Sequence, residues 1–207
     1  VNHLLKVFIA VLSLSSAVSA ESKLIVFFGD SLTAGLGLSE DDSYPGLIQK
    51  RLESEGFGGL YTVLNSGVSG DTTAAGLRRL SWALRNRPEI FFLALGANDG
   101  LRGVNPAETE KNLRRILRVV KEKYSSTTLI LAGIDLPTNL GEDYRSSIRE
   151  IFPRVAREEG AILMPFLLQG VAAVRELNQP DGIHPNIEGQ KIIAKNVWEV
   201  LKPLLSK

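Results

Sequence analysis

The sequence predicts a three-layer α/β/α domain built on a five-stranded parallel sheet. Three observations predict it. Short apolar runs at 24–28, 60–64, 90–95, 127–132 and 161–164 each end in turn chemistry: Gly29, Asn65, Gly96, Gly133 and Pro165. Helical patterns separate these runs, and strands alternating with helices require crossovers and hence parallel pairing. The chain has 207 residues, 44% hydrophobic and 23% charged, and no Pro/Gly/Ser-rich linker, low-complexity tract or repeat divides it. That is the size and composition of one globular domain.

Each element has a local reason. Residues 24–28 read LIVFF, a continuous apolar run that suits a strand buried on both faces. Ser43 is placed to cap a helix beginning at Tyr44-Pro45 and running to about Glu55. The stretch 72–87 puts Leu77, Leu80 and Leu84 on one stripe and stops at Pro88. Asn105, Pro106 and Glu108 supply a cap, a first-turn proline and a first-turn acid. The helix they open carries Leu113, Ile116, Leu117 and Val120 at helical spacing. Residues 142–159 read as a helix kinked at Pro153. Asn186 caps a last helix that turns Ile193, Val197, Val200, Leu201 and Leu204 inward.

Composition narrows the function. Lys plus Arg number 24 and Asp plus Glu 23, a net charge of +1, which offers no electrostatic footprint for nucleic acid. Cysteine is absent, so disulfides, thiolate catalysis and Cys-ligated metal centres are excluded. Two histidines, His3 and His184, are too few for a multi-histidine metal site. Residues 1–20 read as a secretory signal peptide: Lys6, an apolar stretch over 7–18, and Val18-Ser19-Ala20 before a cut after Ala20. The apolar stretch is shorter than the ~20 residues that span a bilayer. The expected organisation is therefore a leader over 1–20 and one globular domain over 21–207, periplasmic or secreted, with no stable membrane insertion of the mature chain. Cleavage would leave His184 as its one histidine.

In open α/β sheets the ligand site lies at the carboxyl ends of the strands. Four groups stand there. Ser31 follows the first strand in Gly29-Asp30-Ser31, where it can expose a hydroxyl or merely cap a helix. Gly70 follows the second strand in Ser69-Gly70-Asp71, where it can bring its N–H close to a ligand oxygen or simply serve a turn. Asn98 follows the third in Gly96-Ala97-Asn98, where it can donate from its amide or bond its own backbone. Asp181 and His184 follow the fifth, spaced so that the carboxylate can meet Nδ1 and leave Nε2 free as a base. Each signal is weak alone. Together they supply a nucleophile, a base, an orienting acid and three oxyanion donors: the N–H of Ser31, the N–H of Gly70 and the side chain of Asn98. Acyl transfer needs that inventory.

The four blocks GDSLTAG (29–35), SGDTT (69–73), GANDG (96–100) and DGIHPN (181–186) occur in the order found in the SGNH, or GDSL, hydrolases, and the chain resembles that family over 24–204. The longer stretches GANDGLRG and IDLPTNLG resemble its bacterial thioesterase I, lysophospholipase and arylesterase subgroup. The resemblance implies a flavodoxin-like sheet and a Ser31–His184–Asp181 triad. It also implies hydrolysis of acyl thioesters, lysophospholipids and aryl or alkyl esters, small-molecule substrates handled without metal or cofactor. Ala97 stands where some subgroup members carry Gly, so acyl-chain length does not transfer with the resemblance. An acetylesterase of cell-envelope or plant carbohydrates would use the same catalytic residues. A receiver-like signalling domain would use Asp30 and Asp99, but no Lys follows the fifth strand, where Met164-Pro165-Phe166 stands. A nucleotide-binding module finds only Gly35-Leu36-Gly37 and no phosphate-binding G-x-x-x-x-G-K-[ST].

Overall fold

The structure, a computed structural model, describes residues 22–206; the expected leader over 1–20 lies outside them. Five strands, β1 (Lys23–Gly29), β2 (Tyr61–Gly67), β3 (Pro88–Ala94), β4 (Thr128–Ala132) and β5 (Ile162–Met164), form one sheet in the order β2-β1-β3-β4-β5. Every pairing is parallel, as the alternation predicts. From β1 the chain crosses to β2 on one side, then returns past β1 to β3 on the other. The order therefore reverses between β1 and β3, and the crevice at their carboxyl ends is where such sheets bind ligands.

The helices are α1 (Ser31–Ala34), α2 (Tyr44–Ser54), α3 (Thr73–Ala83), α4 (Ala97–Leu101), α5 (Pro106–Lys123), α6 (Glu142–Arg149), α7 (Ile151–Glu159) and α8 (Ile187–Leu201). Successive strand residues point to opposite faces, so β1 feeds two cores. Ile25 and Phe27 pack with Tyr44 and Ile48 of α2 and Val197 and Trp198 of α8. Val26 and Phe28 pack with Leu80 of α3, Leu113 of α5 and Phe152 of α7. Strand β2 is an edge and only half-buried: Tyr61 is buried while Thr62 and Leu64 are exposed. The expected caps are in place: Ser43 accepts from Gly46, Asn105 from Ala107 and Asn186 from Gly189.

Two expectations need correction. The helix expected over 142–159 does not kink at Pro153. It breaks at Glu150, between α6 and α7. Pro153 lacks the N–H that would bond Arg149, and its ring crowds that carbonyl, so the break falls one turn earlier and leaves Pro153 in the first turn of α7. The stretch over 72–87 is helical only through Ala83, because the residues before Pro88 must extend into β3.

Helices α5 and α7 are joined by ions as well as by Leu113 and Val155. Glu110 accepts from Arg154 at 2.7 and 3.1 Å and from Arg114 at 2.6 Å. The Arg154 bonds, aided by Arg114, hold its carboxyl down to about 2 against an ordinary 4.5. A depressed carboxyl stabilises the fold above its unfolded value, and that contribution disappears as pH falls through the folded value. Glu110→Gln is expected to destabilise the chain at pH 7 by about 1 kcal/mol after solvent screening. The difference between variant and parent should close between about pH 4.5 and 2, read as melting temperature against pH. An equal difference at both ends of that window would mean that packing, not charge, is what Glu110 supplies.

Candidate active site

The site stands at the β1/β3 crevice. Strand β1 ends at Gly29, and Asp30 caps the short helix α1 by accepting from the Leu32 N–H at 3.0 Å. Ser31 is thus the first helical residue, not the cap, and its side chain is free for other work. Its N–H is one of the first-turn donors that a helix leaves unpaired. Burial pushes the Asp30 carboxyl up to about 6, a rise only partly offset by the Leu32 bond.

His184 reaches Ser31 from the loop after β5. Its Nε2 lies 3.0 Å from Ser31 Oγ, and its Nδ1 lies 2.7 Å from Asp181 Oδ2. Asp181 Oδ1 accepts from the backbone N–H groups of Ile183 and His184 at 2.9 and 3.0 Å. The loop therefore fixes its own acid. Chiefly the His184 N–H, then the imidazole and the Ile183 N–H, hold the Asp181 carboxyl down to about 2. An ionised carboxylate only accepts, so Nδ1 carries the proton and Nε2 turns its lone pair to the serine. The loop is clamped behind the histidine, where the Gln179 N–H donates to the His184 carbonyl at 2.7 Å.

On the other side, Asn98 sits in α4 after β3. Its Nδ2 donates to the Asp71 carbonyl at 2.9 Å and lies 3.4 Å from Asp30 Oδ2. Both neighbours are acceptors, so the amide nitrogen, not its oxygen, faces them. The Asp71 bond is the short one, and the Asp30 bond, at 3.4 Å, is the long one that a substrate oxygen would replace. Gly70 occupies the third position of a turn closed by Asp71 N–H to Val68 C=O at 3.1 Å, with φ +83°. That is the type II geometry glycine suits. Among the described residues neither the Ser31 N–H nor the Gly70 N–H has an acceptor. Ser31, Asn98 and His184 line one groove, and Gly70 is not part of its lining.

That groove encloses about 500 Å³. Its walls are largely apolar, formed by Leu101, Leu136, Pro137, Phe166, Leu168 and Ile183. Polar side chains interrupt them at Thr138, Asn178 and Asp135, and both oxygens of Asp135 accept from Arg145 Nη2 at 3.2 Å.

Sequence reasoning missed three features. Asp99 entered it only as a receiver-like acid. It is instead buried, accepting from the N–H and hydroxyl of Thr73 and from the Thr109 hydroxyl. Those bonds tie α4 to the start of α3 and occupy the oxygens a phospho-acceptor would need exposed. Thr72 caps α3, and Asp71 before it pairs with Arg79. Arg79 itself carried no pattern that marked it.

Comparison with known proteins agrees with this geometry. Residues 27–192 match the model of the GDSL-like Lipase/Acylhydrolase family. The chain is 40% identical over 198 residues to esterase TesA of Pseudomonas aeruginosa, covering 95% of this chain and 96% of that one. It is 37% identical over 205 residues to thioesterase 1/protease 1/lysophospholipase L1 of Escherichia coli K12, covering 99% and 94%. Among solved structures it superposes with TM-score 0.83 on a crystal structure of TesA, at 39% identity and covering 88% of this chain and all of that one. With the four blocks in order and the match spanning most of its length, this chain belongs to the GDSL-like lipase/acylhydrolase family.

Proposed function

We propose that the protein is a serine esterase that hydrolyses aryl and alkyl esters, acyl-CoA thioesters and lysophospholipids through an acyl-enzyme on Ser31. One observation carries the reading: an unbroken relay from Asp181 through His184 to Ser31, 2.7 and 3.0 Å long, at the mouth of an apolar groove. Ser31 Oγ attacks the carbonyl carbon as His184 Nε2 takes its proton. The oxyanion that forms accepts from the Ser31 N–H, the Gly70 N–H and Asn98 Nδ2. His184 then protonates the departing alcohol or thiol, and the ester of Ser31 remains. Water, deprotonated by the same nitrogen, attacks that ester, and as the acid leaves Nε2 returns the proton to Ser31 Oγ. Asp181 holds the tautomer and stabilises the imidazolium.

The apolar walls favour acyl chains over acetyl groups, since each buried CH₂ is worth ~0.8 kcal/mol. The names of the relatives, esterase and thioesterase/lysophospholipase, agree with such substrates. Export under the leader over 1–20 completes the reading. No helix among the described residues is long and apolar enough to cross a membrane.

A panel of p-nitrophenyl esters and acyl-CoA thioesters of matched, graded length tests the substrate class. Medium-chain esters should exceed acetate in kcat/KM by more than about tenfold, which a few buried methylenes suffice to produce. A preference for acetate, shared by acetylated glycans, would transfer the site to carbohydrate deacetylation.

A further inference from the structure

The role proposed for Asn98 depends on the Asp71 backbone carbonyl that holds its amide, and the Asp71 side chain is itself held from behind. Arg79, on α3, donates from Nε to Asp71 Oδ2, from Nη1 to Ser66 Oγ at 3.3 Å and from Nη2 to the Gly29 carbonyl at 2.9 Å. Its guanidinium lies 4.1 Å from the centre of the Phe28 ring. The Gly29 carbonyl also accepts from the Val68 N–H at 3.0 Å. One planar cation thus binds the last carbonyl of β1, directly before Asp30 and Ser31, to the loop after β2 that carries Gly70 and Asp71. A guanidinium presents its donors in a rigid fork, so it fixes the relative positions of its acceptors as well as their distances.

Resting on the reading of Asn98 as an oxyanion donor, we infer that Arg79 is a positioning residue for the oxyanion side of the site. It does not line the groove and has no contact with the relay. It acts by keeping the Asp71 carbonyl, and with it Asn98, in register with Ser31. Lysine could still pair with Asp71, but its single ammonium cannot hold the three acceptors in one plane.

The test measures kcat, KM and melting temperature for Arg79→Lys, Asn98→Ala and the double variant. Misplacing a donor from behind the site costs up to about 100-fold, so Arg79→Lys should lower kcat about 10- to 100-fold with KM within about threefold. The double variant should fall no more than about threefold below Asn98→Ala, because residues that act through one contact are not additive. If Arg79→Lys does not fold, Asp71→Asn, which keeps the backbone carbonyl and weakens the same clamp, should show the same kcat loss and the same non-additivity. A folded Arg79→Lys with parental kcat overturns the inference. So do losses that multiply in the double variant, the mark of an ion pair that merely stabilises the fold. If Asn98→Ala retains its kcat, the oxyanion reading falls as well. If Asn98→Ala loses activity while Arg79→Lys does not, only the inference about Arg79 falls.

Discussion

Ser31→Ala is expected to remove esterase turnover almost completely, by about 10⁶-fold in kcat, the scale on which a triad nucleophile is lost. The variant should still fold. Ser31 is the first residue of α1, and the cap that starts that helix belongs to Asp30, whose bond to Leu32 the substitution leaves in place. The Ser31 N–H also survives, since alanine keeps the backbone donor. Melting temperature should therefore change little, and groove binding of a slowly hydrolysed substrate should persist. Loss of activity with an intact fold is what separates a nucleophile from a structural serine. Turnover near the parental value in Ser31→Ala would dismiss the triad.

Asn98→Ala should produce the next largest loss. The amide donates to charge that appears only in the transition state, and removing one such donor typically costs about 10²–10³ in kcat, or ~2.7–4 kcal/mol. KM should stay nearly unchanged, because the uncharged carbonyl of the ground state gains little from that donor. Asn98 also bonds the Asp71 carbonyl at 2.9 Å, so some loss of stability is expected beside the kinetic effect. The two are separable on one preparation by measuring kcat, KM and melting temperature together. A fall in kcat below about fivefold, with the fold intact, would be far under the usual cost of an oxyanion donor. Asn98 would then serve only to link α4 to the loop after β2, leaving the N–H groups of Ser31 and Gly70 as the hole.

The fold was legible because its signals are local and periodic. Strands buried on both faces must be continuous apolar runs, and 24–28 and 90–95 are. Helix starts need caps whose residue types are few, and Ser43, Asn105 and Asn186 are such caps. The positions of Ser31, Gly70 and Asn98 just past strand ends were legible for the same reason: strand ends could be located, and parallel topology brings them to one edge. Asp181 and His184 sit instead on a long loop well past the end of β5, and their mutual spacing is what marked them. The short helices α1 and α4 were read as turns and loops, because four or five residues are too few to display a helical period. The break at Glu150 was misplaced by a turn, since a proline acts on the carbonyl four residues before it. The links Arg79–Asp71 and Asp99–Thr73 left no trace, because hydrogen bonds between distant segments impose no spacing on the sequence.

Covalent trapping tests directly whether Ser31 is the residue that carries the acyl group. The protein should be treated with an alkyl phosphonate ester bearing a good leaving group, which phosphonylates an activated serine and cannot be hydrolysed quickly. Intact-mass measurement and peptide mapping then locate the adduct. One phosphonyl group per chain is expected, on the peptide containing Ser31, with activity lost in proportion to labelling and no adduct on Ser31→Ala or His184→Ala. An adduct on another serine that tracks inactivation, or full labelling of Ser31 with activity retained, would contradict it.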